Sequence, residues 1–157
     1  MKKSLIFLLS FFVFIPCAFA DDINTVKTLF NSYVSGANSY SSAIIGFYSP
    51  NAKIIRQVVK PDGQLVNATT NMKTYITQMR ISQNVAKARG YKNYYSNITV
   101  TKVPNGIKVS ALRQPIGEKY HLKVYQIWQK QSNENWVIIE ELMQTKEQIF
   151  LRYADKK

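Results

Sequence analysis

The chain has 157 residues and carries 21 Lys and Arg against 9 Asp and Glu, a formal net charge of +12, with a single cysteine and a single histidine. That inventory leaves no His/Cys ligand-spacing motif for a metal, no internal disulfide and no thiol chemistry in an exported chain, so neither a metal nor a cofactor is expected. The length suits one domain with one core.

The N-terminus opens with Lys2 and Lys3, continues through an apolar run from Leu5 to Phe14, and ends in Ala18-Phe19-Ala20. A positive start, a short apolar stretch and small residues at −3 and −1 are the marks of a secretory signal peptide. Cleavage is expected between Ala20 and Asp21, with residues 1–20 as the signal and 21–157 as a single domain in the periplasm or medium. Cys17 leaves with the signal. A retained anchor is the alternative, and it would suit a secretion-apparatus or envelope assembly subunit.

Val26, Leu29, Phe30, Tyr33 and Val34 recur at helical spacing and predict a first helix over 23–36. "NSYSSAIIGFY" predicts a shorter second helix stopped by Pro50. "AKIIRQVVK" is rich in β-formers, and Pro61-Asp62-Gly63 turns it into a short strand, "QLV". Thr69 or Thr70 can cap a third helix, whose Met72, Tyr75, Ile76 and Met79 share a face. Beyond it the period changes to two. "SNITVTKV" and "IKVSALRQ" flank Pro104-Asn105-Gly106, a hairpin signal of the type I′ kind. "KYHLKVYQIWQK" and "WVIIEELMQ" form a second hairpin across "QSNEN". Helices followed by antiparallel strands predict an α+β domain, with three N-terminal helices covering one face of a curved sheet.

Between Ile23 and Gly117 the basic residues meet a single acid, Asp62, whereas from Glu118 onward the signs nearly balance. Such asymmetry suits anionic partners, including membrane headgroups. "AKARGYKNYY" interleaves Lys87, Arg89 and Lys92 with three tyrosines, a pattern that would suit single-stranded nucleic acid in a cytosolic protein. Export argues against nucleic acid here.

"FYSPNAKI", "TTNMKTYI" and "YQIWQK…NWVIIEEL" together resemble the nuclear transport factor 2-like superfamily (SnoaL-like, cystatin-like cone), in the expected order over nearly the whole expected mature chain. The resemblance implies a strongly bent, mainly antiparallel sheet wrapped on helices, with a pocket on the concave side. That superfamily holds enzymes, transport adaptors, secretion-system subunits and lipid carriers, so fold alone selects no function.

Side chains alternate along a strand, so Glu140 and Glu141 point to opposite faces and form no facing acid/base pair. Strict alternation groups Gln126, Trp128, Trp136, Ile138 and Glu140 on one face, and His121, Tyr125, Ile139 and Glu141 on the other. The resemblance implies that Glu141 and Tyr125 point inward, with His121 nearer the strand start. The expected pocket residues are therefore Tyr33, Tyr48, Met79, His121, Tyr125, Ile139 and Glu141. Were the protein a small isomerase, dehydratase or cyclase, Glu141 would be its acid/base, helped by Tyr125 and His121, with burial raising its pKa. The structural alternative is that Glu141 pairs with Lys123 or Arg56, or caps a hydrogen-bond network without turnover.

The leading expectation is an exported, non-enzymatic protein that binds a small apolar or amphipathic ligand or an envelope protein. Trp128, Trp136 and Ile138 are expected as an apolar strip on the outer face, joining two copies into a homodimer. Ile149, Phe150 and Leu151 would extend that strip or fold back over Trp136.

Overall fold

The computed structural model describes residues 18–156, so the apolar run of the expected signal segment and Cys17 lie outside the described residues. Helix α1 spans Ala18–Asn38 and buries Val26, Phe30 and Tyr33, the i, i+4, i+7 stripe visible in the sequence. Asn38 ties its end to the sheet: its side-chain amide donates to the Asn93 carbonyl and its Oδ1 accepts from the Asn93 N–H, both at 2.9 Å. Among the described residues no helix is long and apolar enough to cross a membrane.

The expected second helix is only a 3-10 segment, Ser42–Phe47. Tyr40, at φ 59°, breaks the path of α1, and six residues are too few to sustain an α-helix before the chain must extend. Strand β1, Tyr48–Val59, then begins two residues before Pro50. The proline is accommodated because pairing with the neighbouring strand shifts register between Tyr48 and Lys53. Strand β2 covers Leu65–Thr70 and absorbs both threonines expected to cap the next helix. Asn71 is the cap instead, its Oδ1 accepting from the Thr74 N–H at 2.9 Å, and α2 follows over Met72–Ala88. Among the described residues, two α-helices and the intervening 3-10 segment Ser42–Phe47 stand in place of the three expected N-terminal helices, with α2 lying between β2 and β3.

Strands β3 (Asn93–Val103), β4 (Gly106–Pro115), β5 (Leu122–Lys130) and β6 (Trp136–Thr145) complete a six-stranded sheet of order β2-β1-β6-β5-β4-β3. Only β1 and β6 run parallel; the other neighbours are antiparallel. At the β3–β4 turn the positive φ falls on Gly106 (152°), and a Cβ there would stand 2.0 Å from the Trp128 carbonyl oxygen. The glycine is required by the close approach of β5.

One irregularity reorganises the sheet faces. Ile127 pairs with Glu140, but Trp128 pairs with Ile138, so Ile139 is an extra residue in β6. A bulge of this kind flips the alternation on one side of itself. Ile138 and Glu141, three apart, therefore share the inner face with Val124, Gln126 and Trp128, all buried. Trp128 and Ile138, expected outside, have no exposed surface at all. Trp136 is half-buried and packs against the same core. The outer strip proposed for dimerisation is thus largely core.

The C-terminal segment turns towards the other sheet edge. A 3-10 segment, Gln148–Tyr153, is followed by a bridge between Ala154 and Ala68. The Asp155 carboxylate accepts from the Thr69 N–H (2.9 Å) and hydroxyl (2.8 Å). Ile149, Phe150 and Leu151 accordingly pack beside β2 and β1 rather than over Trp136.

Candidate functional site

Glu141 lies at the centre of the inner face, completely buried. Its Oε1 accepts from Arg56 Nη1 at 2.9 Å. Its Oε2 accepts from Tyr48 Oη at 2.6 Å, Gln126 Nε2 at 2.9 Å and Tyr33 Oη at 3.1 Å. Because Tyr48 spends its one proton on Glu141, the Tyr75 hydroxyl, 3.1 Å away, donates to the Tyr48 oxygen. The Arg56 guanidinium also sits over the Tyr75 ring, 5.0 Å from its centroid. Helix α1, strands β1, β5 and β6, and helix α2 each contribute one or more of these groups, so the network clamps every layer of the domain together.

Burial works to raise the Glu141 pKa, but the Arg56 charge and the hydrogen bonds from Tyr48, Gln126 and Arg56 prevail and hold it below the ordinary carboxylate value. The shift is opposite to the one expected for a pocket acid. Burial and the neighbouring Glu141 charge push the Tyr33 and Tyr48 hydroxyls well above the usual tyrosine value, so both remain donors. A depressed carboxylate supplies stability above its unfolded pKa, about 4.3, and loses it as pH falls through its lower folded value. Stability should therefore fall below about pH 5, and Glu141→Gln should flatten that acid limb while lowering stability at neutral pH. Urea unfolding across the acid range checks this; an unchanged slope in the variant would assign the acid limb elsewhere.

Beside the network, between α2 and the sheet, opens a cavity of about 490 Å³. Met79, Val85 and Met143 supply apolar wall, and Arg56, Arg89 and Arg113 bring three guanidinium groups to it. Glu147 is the one carboxylate on its lining. Among the described residues no group of three His, Cys, Asp or Glu side chains is placed to hold a metal ion.

Of the residues expected in a pocket, Tyr33, Tyr48 and Glu141 are joined by hydrogen bonds, and Met79 lines the cavity next to them. Tyr125 is on the opposite face, donating to Glu140 Oε1 at 2.6 Å, with Lys108 Nζ 4.1 Å from its ring centroid. Glu140 in turn lies 3.9 Å from Lys53, so it completes a partly exposed surface cluster. His121 is exposed just ahead of β5, and the bulged Ile139 is outside the cavity lining. Neither His121 nor Tyr125 can assist Glu141. Sequence reading missed Gln126, Tyr75 and Arg113. Tyr75 was legible as a core position on its helix, but a buried polar role for the other two has no local signature.

No family model and no curated protein matches the chain. Solved structures do. A nuclear transport factor 2-like protein of unknown function from Pseudomonas putida aligns over 80% of this chain and 87% of its own, at TM-score 0.64 and 11% identity. A nuclear transport factor 2-like protein with a cystatin-like fold from Novosphingobium aromaticivorans aligns over 83% and 85%, at TM-score 0.58 and 10% identity. A candidate ketosteroid isomerase from Parabacteroides distasonis aligns over 81% and 89%, at TM-score 0.54 and 8% identity. At such identities the likeness concerns the backbone and carries no activity with it. The chain has the nuclear transport factor 2-like fold.

Proposed function

We propose that this chain is an exported, non-enzymatic protein that holds a small apolar or amphipathic molecule in the cavity between α2 and the sheet. The observation that carries the reading is the burial of Glu141 inside a hydrogen-bonded ion pair. Four donors meet it, three at Oε2 and the Arg56 guanidinium at Oε1, and its pKa is depressed rather than poised. A general base must reach its substrate, and Glu141 is completely buried and does not line the cavity. What remains at the concave side is a partly apolar cavity with a few fixed polar groups, the usual form of a ligand site. The N-terminal signal pattern supports export to the periplasm or medium, and the exposed Lys73, Arg80 and Lys87 of α2 suit the anionic surfaces met there.

Native mass spectrometry and lipid extraction of protein purified from its own host test the reading. A small molecule retained in the folded protein and released on denaturation is the expected result. Uniformly empty protein would contradict it.

A further inference from the structure

Arg113 is the least compensated charge in the interior. It is only 4% exposed, yet its partners are all neutral: Nη1 donates to the Tyr91 hydroxyl (2.9 Å) and to Asn93 Oδ1 (2.8 Å), and Nη2 donates to the Gln144 carbonyl (2.7 Å). Its Nε has no hydrogen-bond partner. Among the described residues no carboxylate lies within salt-bridge distance of it. A guanidinium taken out of water without a counter-charge carries a large desolvation cost, which a bound anion would offset. Arg113 lines the cavity together with Arg56 and Arg89. Glu141 neutralises Arg56 from behind, and Glu147 on the lining opposes one further charge. Three guanidinium groups against two carboxylates leave the site one positive charge in excess.

Another part of the lining is apolar. Ile81 and Phe150 line both this cavity and an adjoining groove of about 320 Å³ between α2 and the C-terminal 3-10 segment. Ile81 is 70% exposed, Val85 50% and Ile149 59%, an exposed apolar track beside the guanidinium groups, with Arg152 also on the groove lining. Resting on the ligand-binding reading above, we infer that the ligand is an anionic amphiphile: its head at Arg113 and Arg89, and an aliphatic chain along Ile81, Val85 and Phe150. The site as a whole favours a carboxylate or phosphate monoester head over a neutral or cationic one.

Isothermal titration of the domain with dodecanoate, dodecyl phosphate, dodecanol and dodecyltrimethylammonium, all below their micellar concentrations, tests this. The two anions should bind at least about tenfold more tightly than the alcohol, the value of one charge-assisted hydrogen bond, and the cation should bind most weakly. Preference for dodecanoate would make the head a carboxylate; preference for the phosphate would make it a phosphate ester. Arg89→Gln, at an exposed position, should reduce anion binding several-fold and leave dodecanol unchanged; equal losses for both would overturn the head-group assignment. Arg113→Gln, if circular dichroism shows it folded, should abolish the anion preference. Equal binding of anion and alcohol by the parent would overturn the inference while sparing the ligand-binding reading. Failure of every amphiphile to bind would overturn both.

Discussion

Replacing Arg56 by Met is expected to destabilise the folded domain by about 3–5 kcal/mol, because it strands a fully buried carboxylate without its counter-ion. Methionine fills much of the arginine stem, so the loss reports charge more than volume. Tyr33, Tyr48 and Gln126 would still donate to Glu141, but neutral donors do not replace a guanidinium at 2.9 Å. The double variant Arg56→Met/Glu141→Gln removes both charges and keeps an acceptor for the tyrosines. It should be more stable than Arg56→Met alone, a non-additivity of roughly 1–3 kcal/mol typical of residues in direct contact. Denaturant unfolding of the four proteins gives the coupling. Additive losses would mean that the pair does not function as a unit.

Trp128→Ala should cost a comparable amount, about 3–5 kcal/mol, as expected for emptying a large aromatic site in a packed core. Trp128 is completely buried, and Phe47 meets it edge-on with ring centroids 5.8 Å apart. Its indole N–H has no hydrogen-bond partner, so Trp128→Phe sacrifices volume but no bond and should be considerably milder. Trp128→Glu discriminates most sharply. On an outer dimer strip it would leave a folded monomer, whereas in the observed position it buries a charge among apolar side chains and should prevent folding. Thermal melts and light scattering on the three variants separate these cases; a folded, monomeric Trp128→Glu protein would contradict the placement.

The fold was legible because its signals are periodic and redundant. The apolar stripe of α1, the change to period two after residue 90 and the Pro104-Asn105-Gly106 hairpin each report on many residues at once. The faces of β5 and β6 were not legible, because one bulged residue, Ile139, exchanges in for out along half a strand and leaves no mark in composition. Glu141 is buried with Gln126 and Trp128, whereas its expected grouping with Tyr125 and Ile139, and that of Trp128 with an outer strip, failed on the same bulge. The boundaries at Tyr48 and Thr70 failed for a different reason. Sheet pairing drew both residues into strands although local propensity favoured helix ends. The Arg113 environment depends on groups from β3 and β6, distant in sequence, which no local pattern brings together.

The role of Glu141 separates the proposed binding function from acid/base catalysis, and an NMR titration of its side-chain carboxyl carbon measures that role directly. The resonance should keep its ionised position from neutral pH downward and titrate only below the ordinary carboxylate range, with Arg56→Met moving the midpoint upward. A midpoint near neutrality in the unmodified protein would contradict a structural, ion-paired carboxylate and would return Glu141 to the position of an acid/base.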